Sequence, residues 1–319
     1  RCWNGVRFGR GAGWGRFIPM ASATERHGPY DVIHAHFGPV GEDMAKLRAA
    51  GFFDTPLITT FYGYDVSRHQ WTSGGQAYPF LFDQADQLFA LSEVMRERLI
   101  KMNAPADKTR VHHLGVDVAR VDFRERLPVA GQPFRLVTVA RLAPKKGLPD
   151  AVRAVAALRK RYPEVSYQIV GDGPVRAELE ALITELDLGQ TVQLRGWMNQ
   201  SEVSAVLDDA DGFLSPSVSA PDGDEDVTPT AIIEASARGL PIVSPLHSGI
   251  PEIVSDGESG YLVPEHDSEA LADRLHRLAT APEPWAVMGR AGRAIVEEQF
   301  DTTKLNAKAF EHYRTAVGV

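Results

Sequence analysis

Short runs of apolar and β-branched residues recur along the chain, and each is followed by a stretch whose apolar positions have helical spacing. The first series of predicted strands covers residues 31–37, 56–61, 87–91 and 110–114. The second series covers residues 134–140, 165–170, 191–195, 212–215, 241–244 and 260–263. Strands that alternate with helices in this way predict an α/β protein with parallel sheets and helices on both faces of each sheet.

A break between the two series predicts the domain organisation. Residues 121–133 contain charged residues, two prolines and a glycine and have no clear period. We therefore predict an N-terminal doubly wound domain over residues 1–126, a C-terminal domain over residues 127–301, and a terminal helix over residues 302–319 that packs back on the first domain. Such sheets bind ligands beyond the carboxyl ends of their strands, so we expect the functional motifs in a cleft that the two domains face.

Composition narrows the class of protein. The 319 residues are 44% hydrophobic and 24% charged, as in a soluble globular protein. The formal net charge of -8 argues against general nucleic-acid binding, which needs Lys and Arg to neutralise phosphates. The one cysteine, Cys2, can form neither an internal disulfide nor a Cys-rich zinc site, which predicts a reducing, cytoplasmic location. No apolar run has the length of a membrane span, so we expect any membrane contact to be peripheral.

The first residues of the chain have an unusual composition. Residues 1–16 lack an initiator Met and a regular period and contain repeated glycines. We interpret them as the remnant of a missing upstream region and expect the N-terminal domain to be truncated. An RNA-binding tail of the Gly/Arg-rich kind is the less favoured alternative, because it needs more repeats and a basic context.

A basic loop is the first motif that suggests chemistry. In VTVARLAPKKG, residues 137–147, a strand leads into a loop with Arg141 and Lys146, and a helix begins near Leu148. A helix N-terminus with Arg and Lys beside it forms a site for a phosphate or diphosphate. A solvated basic loop is the alternative, since Lys and Arg are mostly exposed.

A second loop, IVGDGP, follows another buried strand. Its glycines Gly171 and Gly173 allow a tight turn and a close approach of the backbone to a ligand. A structural turn that uses Asp172 remains the alternative. The loop is not a dinucleotide fingerprint, because the third glycine does not occur at the required spacing.

The acidic segment over residues 215–236 is the most informative motif. Pro229 suits the first helical position, and we expect Thr228 to cap the helix. Glu234 lies five residues past Pro229, about 7.5 Å along the helix, so a ligand with phosphates at the helix start would place ribose hydroxyls near this carboxylate. Asp226, on the loop, could accept hydrogen bonds from a sugar. A solvated acidic loop remains an alternative, and the spacing of the acids does not fit a calcium loop.

These motifs together resemble a known family. The runs HAHFG, VARLAPKKGL, GDGP and DGDEDVTPTAIIEASARGLPIVSPLHSGIPEIV are similar to family 4 of the retaining glycosyltransferases, and most similar to bacterial enzymes of the colanic-acid and amylovoran exopolysaccharide type. The resemblance covers about residues 30–317. It implies a GT-B fold with two Rossmann-like domains. It also implies transfer of a hexose to a saccharide or lipid-linked oligosaccharide at the inner face of the membrane. The donor would be a UDP-sugar or, as the second choice, a GDP-sugar. The reaction would need neither a cofactor nor a divalent metal.

The resemblance also implies roles for individual residues. Arg141 and Lys146 match the diphosphate-binding pair of the family, and Asp226 matches the acid that addresses the donor sugar. We expect these three residues to be catalytic, because a leaving diphosphate gains negative charge that fixed positive groups stabilise. The remaining donor-binding residues implied are Gly171, Gly173, Val227, Thr228, Pro229, Thr230 and the ribose-binding Glu234. The acceptor side would be lined by His36, Gly38 and Tyr62, and the base would be recognised around residues 196–198.

The chain departs from the family pattern at several positions. Asp226 stands where the family has Glu, and Val227 stands where Gly is usual. Tyr62 replaces a His of the reaction centre, and a Tyr hydroxyl is not a base near neutral pH. No strand with a glycine-rich loop precedes residue 31, so we expect this chain to bind nucleotide better than it turns over donor. A non-catalytic nucleotide-sugar-binding protein and a nucleotide-sugar epimerase of GT-B fold remain the alternatives.

Overall fold

The computed structural model describes residues 28–67, 77–129 and 131–319, together with residues 19, 20, 22 and 26. The predicted N-terminal remnant, residues 1–16, lies outside them. The chain divides into two compact units. Unit 1 comprises Arg1–His113 and Asn306–Val319, and unit 2 comprises Leu114–Leu305.

Unit 1 contains a four-stranded parallel sheet in the order β1-β2-β3-β4. Its strands are Ile33–His36 (β1), Leu57–Thr60 (β2), Gln87–Ala90 (β3) and Thr109–Val111 (β4). Within residues 28–67 and 77–113, its helices are Gly38–Ala49 (α1), Gly63–Val66 (α2), Pro79–Gln84 (α3) and Glu93–Lys101 (α4). Every residue of β2 is buried, as expected for a central parallel strand that is covered on both faces.

Unit 2 contains a six-stranded parallel sheet in the order β10-β9-β8-β5-β6-β7. Its strands are Phe134–Val139 (β5), Val165–Val170 (β6), Val192–Gly196 (β7), Gly212–Leu214 (β8), Ile242–Pro245 (β9) and Gly260–Val263 (β10). Its helices are Leu148–Arg161 (α5), Arg176–Glu185 (α6), Gln200–Asp209 (α7), Thr230–Ala237 (α8), Ser268–Thr280 (α9) and Trp285–Gln299 (α10). The strand order reverses between β5 and β8, which is the switch point of a doubly wound sheet.

Two hydrophobic clusters cover the two faces of the sheet in unit 2. Successive side chains of a strand point to opposite faces, so Leu136 of β5 joins one cluster and Val137 joins the other. Helix α5 packs on the first face through residues at helical spacing, and its Leu158 is fully buried. Burial of one such leucine contributes about 1.5–3 kcal/mol. The alternation along β5 therefore specifies a sheet with helices on both sides.

The boundary between the units falls at residue 113, earlier than the residue 126 expected from the sequence. Hydrogen bonds explain the difference. The Val116 N–H donates to the carbonyl of Phe300 at 2.9 Å. The buried guanidinium of Arg126 donates to the backbone carbonyls of Leu207, Asp208, Ala210 and Arg238. These bonds join residues 114–126 to the rest of unit 2, although the sequence of this segment is that of a linker.

The last helix, Thr302–Val317 (α11), is divided between the units after Leu305. In unit 1, the Nδ1 atom of His34 lies 2.7 Å from the hydroxyl of Tyr313, and Gln87 Nε2 donates to the carbonyl of His312 at 3.3 Å. The end of the chain therefore belongs to the N-terminal sheet.

Across the described ranges, no helix has both the length and the apolar character that crossing a bilayer requires.

Candidate functional site

A pocket of about 570 Å³ lies at the carboxyl ends of the strands of unit 2, next to the switch point. Its walls come from the residues that follow β5, β6 and β7 and from the first turns of α7 and α8. The polar residues that line it are Arg141, Lys146, Asp172, Gln200, Thr230 and Glu234. This position is where a doubly wound sheet binds its ligand, so the pocket is the candidate site of the unit.

Gly171 allows three loops to meet at one side of the pocket. Gly171 has φ 131°, and a Cβ atom there would lie 2.0 Å from the carbonyl oxygen of Ala140. The Gly171 N–H donates to the carbonyl of Gly196 at 2.8 Å. The loops after β5, β6 and β7 can therefore meet only if this residue lacks a side chain. Gly173 does not line the pocket, and it packs against Leu142 instead.

Arg141 and Lys146 both line the pocket, as their shared motif suggested. Arg141 is exposed, and its guanidinium has no ion-pair partner within the part of the chain that the structure describes. Lys146 ends the turn Pro144–Lys146, and Gly147 follows with φ 57°. A Cβ atom at Gly147 would lie 1.9 Å from the carbonyl oxygen of Pro216, so the basic turn packs directly on the segment that follows β8.

Lys146 forms an ion pair with Asp226, whose Oδ2 atom also accepts a hydrogen bond from Ser217 Oγ at 2.9 Å. Burial by itself would raise the pKa of Asp226. The charge of Lys146, the hydrogen bonds from Lys146 and Ser217, and the charge of Lys145 outweigh it, so the pKa of Asp226 lies below its ordinary value. Asp226 is therefore ionised at neutral pH. It does not itself line the pocket, but it contacts the lysine that does.

A second ion pair joins the acidic loop to the basic turn. Lys145 Nζ lies 3.0 Å from Asp224 Oδ1 and donates to the carbonyl of Glu225 at 3.2 Å. The Val218 N–H donates to the carbonyl of Lys145 at 2.9 Å. The acidic loop is thus held by lysines and is not merely solvated.

Within the described residues, no group of three or more His, Cys, Asp or Glu side chains is arranged to hold a metal ion.

A histidine supports the backbone of Asp226. The Asp226 N–H donates to Nε2 of His247 at 3.3 Å, and Nδ1 of His247 lies 2.7 Å from Glu265 Oε1. Because Nε2 accepts, the geometry assigns the proton of the neutral ring to Nδ1. Glu265 also accepts from the Ser219 N–H at 2.8 Å. Burial raises the pKa of Glu265, but the bonds from Ser219 and His247 outweigh it and lower that pKa.

Helix α8 supplies the acidic wall of the pocket. Glu234 is half-buried, and its carboxylate has no hydrogen-bond partner among the residues with a described position. Pro229 occupies the N-cap position and no side chain caps the helix, so the expectation that Thr228 caps it is wrong. Because no side chain caps the first turn, backbone N–H groups there have no side-chain acceptor and can bind a ligand. Thr230 and Ala231 of this turn both line the pocket.

The other predicted donor-binding residues lie behind the pocket lining. Val227 is buried, and its carbonyl accepts from the Gly249 N–H at 3.1 Å. Val227, Thr228 and Pro229 do not line the pocket. Their structural effect is to connect the acidic loop to α8.

Sequence reasoning missed Lys145, His247 and Glu265. The signal for His247 was its place two residues after β9, at the same end of the sheet as the other motifs. Nothing in the local sequence indicates that His247 contacts the acidic loop. In the region expected to recognise a base, Trp197 and Met198 line the pocket, and Trp197 is 77% exposed.

The predicted acceptor-side residues lie in unit 1. His36 Nδ1 lies 2.7 Å from the hydroxyl of Tyr62, and the rings of His34 and His36 stack with their centroids 4.6 Å apart. Gly38 is buried, and a Cβ atom there would lie 2.6 Å from the rings of Phe61 and Tyr78. Gly38 is therefore required for packing at the start of α1 and does not line a surface.

Half-buried histidines lie in this part of unit 1. Burial, together with His36 and His112, lowers the pKa of His34 to about 4. Burial, followed by the charge of the neighbouring His312, lowers the pKa of His112 to about 4. His34 also contacts Thr60 Oγ1 at 2.8 Å through Nε2. These rings are therefore neutral at neutral pH.

The fold and the pocket together define the class of protein to which this chain belongs. Two parallel α/β units, one of them doubly wound with a pocket lined by Arg141 and Lys146 at its switch point, are the architecture of the GT-B glycosyltransferases. Anabaena HepE in complex with UDP-glucose has a TM-score of 0.78 at 21% identity, over 95% of this chain and 84% of that one. Sucrose-phosphate synthase from Thermosynechococcus elongatus has a TM-score of 0.79 at 24% identity, over 94% and 77%. The predicted GT-B fold is confirmed.

Sequence comparison then identifies the family. The model described as "Glycosyl transferases group 1" matches residues 120–295, and "Glycosyltransferase Family 4" matches residues 3–120. The putative colanic acid biosynthesis glycosyltransferase WcaL of Escherichia coli K12 is 40% identical over 86% of this chain and 68% of its own length. The amylovoran biosynthesis glycosyltransferase AmsK of Erwinia amylovora is 38% identical over 88% and 69%. This chain belongs to the group 1 glycosyl transferases, as its motifs predicted.

The chain matches only part of these relatives. Against the WcaL protein of Salmonella typhimurium it is 42% identical over 77% of this chain, but the match spans 60% of that protein.

Proposed function

We propose that this protein transfers a hexose from a nucleotide-diphosphate sugar to a saccharide or lipid-linked oligosaccharide in exopolysaccharide biosynthesis, with retention at the sugar carbon. The names of its WcaL and AmsK relatives support the biosynthetic role. The observation that carries the proposal is the pocket of unit 2, in which Arg141 and Lys146 share one cavity with the start of α8 and with Glu234.

The pocket matches the charges of a nucleoside diphosphate. Arg141, Lys146 and the uncapped start of α8 offer positive charge and N–H donors to two phosphates. Glu234 lies four residues past Thr230, about 6 Å along the helix, and its unpartnered carboxylate can accept from both hydroxyls of a ribose. The diphosphate and the ribose of one ligand therefore find separate partners in the same pocket.

The same residues supply the main catalytic requirement. As the glycosidic bond breaks, the departing diphosphate gains negative charge, and fixed cations close to it lower the barrier. Arg141 and Lys146 fill this role in the proposal, so the reaction needs no divalent metal. The diphosphate would compete with Asp226 for Lys146. Asp226 would then be free to accept a hydrogen bond from the donor sugar.

A UDP-sugar is the preferred donor, since HepE, which shares the fold, was solved with UDP and with UDP-glucose. GDP-sugars are the second choice, because a GDP-mannose-dependent mannosyltransferase of Mycolicibacterium smegmatis is 29% identical over 83% of this chain. We assign the acceptor to unit 1. We also propose that the protein acts in the cytoplasm, with peripheral contact at the inner membrane face.

Calorimetric titration of the purified chain with UDP and with GDP tests the donor site. We expect micromolar binding of one nucleotide, weakened at least about tenfold in Glu234→Ala because the ribose loses its acceptor. Glu185→Ala is the matched control. It removes an exposed glutamate at the end of α6, and we expect it to bind like the unmodified chain.

Product analysis with UDP-glucose and an oligosaccharide acceptor then tests the reaction. Transfer to the acceptor supports the proposal. Conversion of the free donor into its epimer would contradict it, and so would binding of the donor without any conversion. A folded chain that binds neither UDP nor GDP would refute the assignment of Arg141, Lys146 and Glu234.

A further inference from the structure

Unit 1 presents an aromatic surface that the donor site does not use. We call His36, Phe37 and Tyr62 the aromatic rim. They lie at the carboxyl ends of β1 and β2, where parallel sheets bind ligands. The rings of Phe37 and Tyr62 lie 4.6 Å apart with an angle of 38° between their planes. Phe37 is 46% exposed, so the rim offers an apolar ring face to solvent.

The backbone of Phe37 is strained. Its φ of 73° and ψ of 134° lie where a bulky L residue is rarely found. Surrounding hydrogen bonds hold this conformation. The Phe37 N–H donates to the carbonyl of Thr60 at 2.9 Å, and the Gly38 N–H donates to Asp65 Oδ2 at 2.8 Å. The Tyr62 N–H donates to the same carboxylate oxygen at 3.0 Å.

The ring of Phe37 is not packed in the core. A strained conformation usually places a side chain in the core or at a binding site, and the ring of Phe37 is nearly half exposed. Backbone hydrogen bonds of Phe37 and Gly38 therefore hold an apolar ring that is nearly half exposed. Strain of this kind, at the end of a sheet where ligands bind, points to a ligand that contacts the ring.

The polar groups of the rim favour an uncharged ligand. Burial raises the pKa of Tyr62, with Asp65 and Tyr313 adding to the shift, so its hydroxyl stays protonated. That hydroxyl contacts Nδ1 of His36 at 2.7 Å. Nε2 of His36 has no hydrogen-bond partner among the residues that the structure describes, and the side chain is exposed. The rim thus combines an apolar ring face with a hydroxyl and an imidazole nitrogen, all in reach of solvent.

We propose that the aromatic rim is a subsite for one pyranose ring of the saccharide acceptor. A pyranose ring presents C–H bonds on one face, which stack on the electron-rich face of an aromatic ring, and hydroxyls at its edge. The C–H face covers Phe37, while His36 and Tyr62 exchange hydrogen bonds with hydroxyls. The proposal rests on the proposed transferase function and names the residues that recognise its acceptor.

Saturation-transfer NMR with methyl β-D-galactopyranoside tests the subsite, because the C–H bonds of this sugar cluster on one ring face. We expect saturation of the protons on that face in the unmodified chain. Phe37→Gly removes the ring and suits the backbone, since glycine adopts φ 73° without a clash. We expect this variant to weaken galactoside binding about tenfold and Phe37→Tyr to restore it.

Phe310→Ala is the matched control, since Phe310 is also an exposed phenylalanine of unit 1, 62% exposed on α11. We expect this variant to bind the galactoside like the unmodified chain. In transfer assays Phe37→Gly should raise the acceptor KM about tenfold and change kcat little. Equal behaviour of Phe37→Gly and Phe310→Ala would overturn the proposal, as would the lack of any saturation in the unmodified chain.

UDP titration separates this proposal from the donor site. We expect Phe37→Gly to bind UDP as the unmodified chain does. If the unmodified chain fails to bind nucleotide but galactoside binding depends on Phe37, the donor assignment fails and the subsite stands. If nucleotide binds and the galactoside signal is insensitive to Phe37, the subsite fails and the donor site stands.

Discussion

The two units carry parallel sheets of the same kind, yet the carboxyl ends of their strands differ in chemistry. In unit 2 this end carries ionised groups, and Lys146, paired with Asp226, lines a pocket that also contains Arg141 and Glu234. In unit 1 it carries histidines and tyrosines. The contrast agrees with the two proposed ligands, since charged groups suit a diphosphate and aromatic rings suit a saccharide.

The two ends also control charge in different ways. In unit 2, ion pairs balance the lysines before any ligand binds, so a bound diphosphate would replace Asp226 as the partner of Lys146. In unit 1, burial lowers the pKa of His34 and His112 to about 4 and keeps both rings neutral. We expect the following changes to affect the two units differently.

Lys146→Ala should have the largest effect. It removes a cation from the pocket and leaves the Asp226 carboxylate to repel a diphosphate. We expect transfer from UDP-glucose to fall about 100- to 1,000-fold, measured as kcat/KM for the donor. Lys145→Ala is the matched control, because Lys145 pairs with Asp224 and does not line the pocket. Equal losses in the two variants would show that the general charge of the loop matters and not the contact of Lys146.

His247→Ala should have the next largest effect. The change removes the acceptor of the Asp226 N–H and the partner of Glu265. We expect kcat to fall about tenfold while UDP affinity changes little, because His247 positions the acidic loop and does not line the pocket. His266→Asn, at an exposed histidine of unit 2, serves as the control. A loss of UDP affinity as large as the loss of kcat would contradict a positioning role.

Salt should distinguish the two binding surfaces. Raising the NaCl concentration from about 0.05 M to about 0.5 M shortens the Debye length and weakens attraction between exposed charges. We expect UDP binding to weaken several-fold and galactoside binding by unit 1 to stay unchanged. Calorimetry at both salt concentrations measures the first effect, and saturation-transfer NMR measures the second. Equal sensitivity of the two ligands would remove the proposed contrast between charged and neutral surfaces.

Asp65→Asn should have the smallest effect, on stability. Burial raises the pKa of Asp65 from 3.8 to about 6, although the N–H groups of Gly38 and Tyr62 oppose the shift. The folded chain then binds more protons than the unfolded chain between these pH values. The stabilising contribution of Asp65 is therefore present below pH 3.8 and is lost as pH rises through about 6.

Asparagine does not titrate, so the Tm of Asp65→Asn relative to that of the unmodified chain should rise by a few degrees between about pH 4 and pH 7 and then stay constant. Thermal unfolding followed by circular dichroism measures the difference. A Tm difference that is the same at every pH would show that Asp65 does not titrate as described. The unpaired amide of the asparagine adds an offset that does not vary with pH.

Local pattern was enough to determine the elements of this protein. All ten strands predicted from apolar runs are present, and α5 begins at Leu148 as expected. Arg141, Lys146, Gly171 and Glu234 could be predicted to lie together because each follows a strand or lies in the helix after one, and parallel strands end at one edge of the sheet. Chain direction and periodicity are properties of neighbouring residues, so the sequence carries them directly.

Only the tertiary structure decided which residues that are distant in sequence contact each other. Lys146 and Asp226 are 80 residues apart, and they meet because β8 lies beside β5 in the sheet. The bond from Asp226 to His247, the place of residues 114–126 in unit 2 and the strained exposed ring of Phe37 likewise depend on which segments become neighbours. Strand order is set by how the whole sheet buries its two faces, and no local window of the sequence contains that information.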